Sequence, residues 1–303
     1  MAGDIKIWTL SESASWAAQC FGVFDPFRRT ELVPTGVHAI DSAIGGISPG
    51  DAVVIGGTTG VGKSTVTVAM AFAQAELGRH VGLVVLEDAA DVYGARALAS
   101  IAGVNSIRMR RGDIGPDDAA RVERGIEALK GVPISLVYAA GFGLKQVIES
   151  AKALCESGCK VLYLDYLQAI SGVSDNRRQE ITTAMRSIHA VGAAYGVPTI
   201  FVSQLRRIVD EDGNPKRPSR YHLKESGDIE NAARLIILLA RDKNSNIVGW
   251  VEKSTSGAEG TKFTMARDES GALREVRYNP QPCMADKYCM TRSVDDEPEA
   301  VIP

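Results

Sequence analysis

The stretch Gly57-Thr58-Thr59-Gly60-Val61-Gly62-Lys63-Ser64 constrains this chain more than any other. It satisfies the pattern G-x-x-x-x-G-K-[ST], the phosphate-binding P-loop. Its glycines permit a tight turn that aims consecutive backbone N–H groups at phosphate oxygens. Lys63 is placed to reach β- and γ-phosphates, and the Ser64 hydroxyl to ligate Mg2+. The apolar run Ala52-Val53-Val54-Ile55 before it reads as a buried strand. Thr65 to Leu77 after it reads as a helix whose N-terminus faces the phosphates. A nucleotide site on Gly57, Thr58, Thr59, Gly60, Val61, Gly62, Lys63, Ser64 and Thr65 is therefore expected. The competing reading is a glycine-rich turn that carries a lysine by coincidence.

The 303 residues suffice for one large α/β domain with short extensions. Hydrophobic residues make up 45% and charged residues 23%, the balance of a soluble globular protein. A net charge of −3 excludes a global basic field of the histone kind and leaves room for a local basic groove. The five cysteines, Cys20, Cys155, Cys159, Cys283 and Cys289, have no zinc-like spacing and read as thiols in a reducing cytosol. Met1 to Leu10 lacks the basic and apolar regions of a signal peptide, and no apolar run reaches the length of a membrane span. A cytoplasmic protein, in a bacterial cell or a phage-infected host, is expected.

Residues 1–34 read as an N-terminal segment and linker. They carry Trp8, Trp16, Phe21, Phe24 and Phe27, and Ser11 is the expected cap of a helix that runs to about Cys20. Leu10, Ala14, Ala17 and Phe21 share one face of it. The segment is too short to fold alone. It packs either on its own domain or on a neighbouring subunit, and the pattern does not choose between these.

From Thr35 to about residue 280, apolar runs alternate with amphipathic helices. The strands are Val81–Leu86, Ile134–Tyr138, Val161–Leu164, Thr199–Val202 and Leu235–Leu239. The helices are Asp88–Ile101, Pro116–Leu129, one marked by Leu144, Val147, Ile148, Ala151 and Leu154, and one marked by Ile181, Met185, Ile188 and Tyr195. Such alternation predicts an α/β fold, a mainly parallel sheet flanked by helices. The short alternating pieces after Ile247 predict an antiparallel C-terminal extension. Arg206–Arg220, with Gly213, Pro215 and Pro218, reads as mobile, and residues 281–303 as an acidic disordered tail.

Three strand ends carry candidate chemistry. Asp165 closes Val161-Leu162-Tyr163-Leu164, where an acid orients the Mg2+ shell beside the P-loop serine. Glu87 closes Leu83-Val84-Val85-Leu86, where a carboxylate can position water at the γ-phosphate; the alternative is an acid favoured by a helix dipole. Gln204 closes Phe201-Val202-Ser203, where its amide can sense γ-phosphate and report to the following loop; the alternative is an exposed polar cap.

These pieces together resemble the RecA-like P-loop NTPase core of the DnaB-type hexameric replicative helicases, over roughly Thr35 to Arg277. The resemblance rests on Thr35-Gly36 with Asp41 and Pro49-Gly50-Asp51, and on Leu86-Glu87 followed by Arg96-Ala97-Leu98-Ala99. It continues in Leu164-Asp165-Tyr166-Leu167-Gln168, in Gly196-Val197-Pro198 leading to Ser203-Gln204-Leu205, and in Leu223-Lys224-Glu225-Ser226-Gly227-Asp228-Ile229-Glu230. The resemblance implies ATP and Mg2+ as ligands and Glu87 as the general base. It implies Lys224, Glu225 and Gly227 at a central channel on single-stranded DNA, with Arg206 and Arg207 supplying charge nearby. It implies Lys253 as the lysine that one subunit points at its neighbour's γ-phosphate. A homo-oligomeric ring, a hexamer in the family, with primase or a helicase loader as partners, belongs to the same expectation.

The chain departs from the family pattern in two places. Thr255 stands where the trans arginine finger is expected. Only about 30 residues precede the motor, where the family carries a helical domain. The expected function is an ATP-dependent DNA helicase. A RecA-type recombinase and a slow, nucleotide-switched assembly or loading factor are the alternatives, the latter favoured by Thr255.

Overall fold

The computed structural model describes residues 9–20, 23, 31–170, 177–206, 217–223, 227–270 and 272–276. Its contacts divide the chain into two units, Met1–Leu32 and Val33–Pro303. The element described in the first is helix α1, Leu10–Cys20. Thr9, not Ser11, caps it: the Glu12 backbone N–H donates to Thr9 Oγ1, and the Thr9 N–H donates back to the Glu12 carboxylate at 2.7 Å. This reciprocal pair is a capping box, which a threonine with a glutamate three residues on encodes. No residue of α1 is buried, and Leu10 and Trp16 are exposed.

The second unit is built on one nine-stranded sheet in the order β3-β2-β4-β5-β1-β6-β7-β8-β9. Its strands are β1 Ala52–Gly57, β2 Val81–Val85, β3 Ile134–Tyr138, β4 Val161–Asp165, β5 Thr199–Gln204, β6 Leu235–Arg241, β7 Ile247–Ser254, β8 Lys262–Arg267 and β9 Leu273–Glu275. From β3 to β6 all neighbours are parallel, and β7, β8 and β9 add on antiparallel, as the alternation of elements predicts. The family-level expectation of a RecA-like core is met in this architecture.

The connecting helices are α2 His38–Ile44, α3 Lys63–Glu76, α4 Ala90–Ala102, α5 Ser106–Arg111, α6 Pro116–Leu129, α7 Leu144–Glu156, α8 Arg177–Ala194 and α9 Gly227–Ala232. Successive strand residues point to opposite faces, so each central strand feeds two cores. Val53 and Ile55 pack with Val66, Met70 and Phe72 of α3. Val54 packs on the other face with Val147 and Leu154 of α7 and Ile181, Met185 and Ile188 of α8. Helix α5 escapes the periodicity because it is six residues long; it is set by Asn105, whose side chain accepts from the N–H groups of Ile107 and Arg108. Among the described residues no helix is long and apolar enough to cross a membrane. Cys20, Cys155 and Cys159 are free thiols.

Hydrogen-bonded polar groups fasten the first and last described stretches of this unit to its core. Asp41 accepts from the Thr35 N–H at 2.6 Å, the Thr35 hydroxyl at 2.7 Å and the Gly36 N–H at 3.0 Å. Glu275 on β9 accepts from the N–H groups of His38 and Ala39, the unpaired donors at the start of α2. Gln74 donates to Pro34 O and accepts from Tyr163, tying α3 to β4. The Gln74 and Glu275 partners lie between 40 and 237 residues away in sequence, beyond the reach of local pattern.

Candidate nucleotide site

Strand polarity gathers the candidate residues. Strands β1, β2, β4, β5 and β6 run the same way, and β8 lies two antiparallel steps from β6, so it runs with them. Their C-terminal ends therefore share one edge of the sheet, where open α/β folds bind ligands. That edge carries Gly57, Glu87, Asp165, Gln204, Arg241 and Arg267.

The turn between β1 and α3 has the backbone that its glycines allow. Gly60 has φ +76° and Gly62 φ +111°, and Val61 N–H bonds Thr58 O. Helix α3 begins at Lys63, two residues earlier than the apolar pattern suggests, so its N–H groups face the loop. Lys63 Nζ donates to Thr58 O at 3.2 Å. Burial pushes its ammonium below the ordinary lysine range, while the Asp165 and Glu87 carboxylates oppose that shift. Glu87 itself is exposed, two residues past β2.

Asp165 is only 4% exposed. Burial raises its carboxyl above the usual carboxylate range, and hydroxyl donors on Tyr93 and Ser64 oppose this. The Tyr93 hydroxyl donates to Asp165 Oδ2 at 2.8 Å. Burial and the adjacent Asp165 charge keep that phenol protonated. Ser64, in the first turn of α3, and Asp165, at the end of β4, bring to one place two hard oxygen donors of the kind that Mg2+ takes. Ser64 and Asp165 fit a Mg2+ site on that chemistry.

Gln204 is held from two sides. Its Nε2 donates to Thr59 Oγ1 of the P-loop at 2.7 Å, and its backbone N–H donates to Gln168 Oε1 at 3.0 Å. Gln168 Nε2 in turn donates to Ser203 Oγ. One residue further, Leu205 N–H donates to Gly57 O, and Leu205 forms a β-bridge with Leu223. Gly56 makes room for this contact: a Cβ there would stand 2.7 Å from Leu238 Cδ2 and 3.1 Å from Leu223 Cδ2.

Two arginines that the sequence reading did not single out contact the loop, and Arg96 of the resemblance stands beside Tyr93. Arg241 donates to Gly60 O from Nε and Nη2, and Arg267 Nη2 donates to Thr65 Oγ1 at 3.3 Å. Arg96 pairs with Asp88 and stands 5.5 Å from the Tyr93 ring centroid. The available signal was a cation at the end of an apolar strand on the P-loop edge, as at Arg241 after Leu235–Leu239.

Other expected site residues are not gathered here. Lys224, Glu225 and Arg207 lie outside the described residues, as do Lys216 and the tail 281–303. Gly227 starts α9, and Arg206 is exposed with its N–H bonded to His222 O. The stretch Arg206–Arg220, expected to be mobile, is anchored at its described end: Arg217 pairs with Glu252 and lies over Trp250, and Arg220 pairs with Glu230. Lys253 sits near the end of β7, opposite Ile236 near the start of β6. This is the edge away from the P-loop, and Lys253 Nζ donates to Glu230 O of α9 at 2.6 Å.

Sheet order, loop and strand-tip residues define the class: a P-loop NTPase core with a RecA-like sheet. Residues 33–284 match the family described as DnaB-like helicase C-terminal domain, and the chain belongs to that family. It is 28% identical over 242 residues to the replicative DNA helicase DnaB of Geobacillus stearothermophilus, covering 76% of this chain and 53% of that one. A Chlamydia trachomatis protein named as a probable plasmid replicative DNA helicase is 29% identical over 219 residues, covering 71% and 48%. The chain thus spans about half the length of the curated relatives it matches. Among solved structures, one described as an ATPase domain superposes with TM-score 0.78 at 21% identity over 90% of this chain and 100% of that one. A DnaB-like replicative helicase, solved in a study of its interactions with primase, superposes with TM-score 0.75 at 20% identity, covering 90% and 68%.

Proposed function

We propose that this chain is the motor of an ATP-driven, ring-forming helicase that moves along single-stranded DNA during replication. One observation supports it above others: the amide that touches the P-loop is one residue from the Leu205–Leu223 bridge, from which Arg206 and Lys224 depart. Domain limits of 35–280 for the motor follow from this reading, with 1–34 as a subunit contact and 281–303 as a tail. The active protein is a homo-oligomer, in keeping with the hexamers of the family. Primase or a loader is a further partner, and the bacterial or phage-infected cytoplasm is its place of work.

In this mechanism the P-loop N–H groups and Lys63 bind the ATP phosphates, and Lys63 gives up Thr58 O to do so. Ser64 and Asp165 would hold Mg2+, which would supply charge neutralisation for the phosphates. Glu87, exposed at the strand tip, accepts the proton of the attacking water. Gln204 exchanges Thr59 for the γ-phosphate and passes that change to the bridge. Lys224, Glu225, Gly227, Arg206 and Arg207 hold the DNA backbone, and contacts of this kind add affinity without sequence preference. Lys253 acts on the neighbour's nucleotide.

Steady-state ATP hydrolysis with and without single-stranded DNA tests the reading. DNA should stimulate turnover, and Glu87→Gln should keep ATP binding while losing on the order of 10^2- to 10^4-fold in rate. Normal turnover in that variant would remove Glu87 from the mechanism. Thr255, in the place of the arginine finger, favours a second reading as a slow nucleotide-switched factor; DNA-independent, near-zero hydrolysis with tight ATP binding would select it.

A further inference from the structure

The Asp165 carboxylate is buried beside the P-loop and accepts from the Tyr93 hydroxyl, which lies outside the phosphate-binding machinery. Tyr93 comes from a helix that otherwise packs against α6 and α3, and its ring is fixed by burial and by Arg96 at its face. Arg96 is in turn paired with Asp88, the residue after Glu87. A continuous set of contacts therefore runs from the Glu87 loop through Arg96 and Tyr93 to Asp165.

We propose that Tyr93 is a positioning residue for the metal site, and that its hydroxyl sets how readily the site takes up Mg2+. This rests on the nucleotide reading above. The Tyr93 hydroxyl sits on Asp165 Oδ2, so a carboxylate that water scarcely reaches keeps one partner and one orientation. That leaves its other oxygen and the Ser64 lone pairs to face an ion. Without the Tyr93 hydroxyl, Oδ2 loses its donor and the carboxylate its fixed orientation, so the ion must order the site as it binds. Outer partners of ligating carboxylates act in this way at metal sites generally.

Tyr93→Phe keeps the ring under Arg96 and removes one oxygen. Binding of a fluorescent ATP analogue to the full chain is measured in EDTA and across a Mg2+ series, and Mn2+ uptake is measured directly by electron paramagnetic resonance. The variant should bind the metal-free nucleotide as wild type does and melt within a few degrees of it. Its half-saturating Mg2+ and Mn2+ concentrations should rise on the order of 10-fold. Wild-type midpoints in the variant, or lower ones, overturn the role of Tyr93 while leaving the nucleotide reading intact. A wild-type chain that binds no nucleotide with or without metal overturns both.

Discussion

Asp41 shows how one side chain can make stability depend on pH. It is partly buried, and desolvation lifts its pKa to about 6 in spite of three hydrogen bonds from Thr35 and Gly36. Glu275 adds a smaller upward push. An unfolded aspartate titrates near 3.9. Between those values the folded chain holds a proton that the unfolded chain has released, so stability is fully present below about pH 4 and is lost as pH rises through about 6. The loss is roughly 2–3 kcal/mol. Asp41→Asn removes this titration, so its melting temperature should gain on wild type as pH is raised from 4 to 7. A constant difference across that range would show that Asp41 titrates normally. At the candidate site the legible residues were those whose chemistry the P-loop demands: Lys63, Ser64, Asp165, Glu87 and Gln204. Tyr93, Arg241 and Arg267 were not singled out, because each reaches the site from an element whose placement only the tertiary fold provides.

At the level of elements, strands and helices with strong apolar periodicity could be read to within a few residues. Helix α6 and strand β3 begin and end where Pro116, Leu129, Ile134 and Tyr138 suggested. Short elements without periodicity, such as α2 and α5, were missed, and the cap of α1 was misplaced by two residues. The junction of β1 and α3 is the element on which the site depends most. At Gly62 the positive φ and the crowding act together: a Cβ there would stand 2.6 Å from Ile247 Cδ1 on β7. Gly62→Ala should therefore cost about 1–3 kcal/mol from the backbone alone. It should also weaken ATP binding, because β7 or the loop must shift. Thermal melts and nucleotide titration together check this; an unchanged melt with unchanged affinity would mean that the loop relaxes freely.

The whole molecule has two units of unequal means. Val33–Pro303 has its own double-sided core, whereas the one element described in Met1–Leu32 is a helix with no buried residue and with Leu10 and Trp16 exposed. A helix of 11 residues is marginal in water unless something covers its apolar face. The proposed cover is a neighbouring copy. Deleting residues 1–30 should convert the oligomer to monomers that still bind ATP, as sedimentation velocity with nucleotide would show. Retained oligomers of wild-type size would assign the helix no part in assembly.

The separation of Lys253 from Gly57 across the sheet has a geometric corollary for any such assembly. With the P-loop at one edge and Lys253 at the other, the chain has a front and a back. A two-fold symmetric dimer, whose interface is self-complementary, brings like surfaces together and leaves Lys253 turned from its partner's nucleotide. Only a head-to-tail contact joins front to back. Such contacts have no built-in end: they close into a ring when the rotation between neighbours divides a full circle, and otherwise they climb into a helical filament. A few degrees at one interface would therefore decide whether copies of this chain close into a ring or wind into a filament.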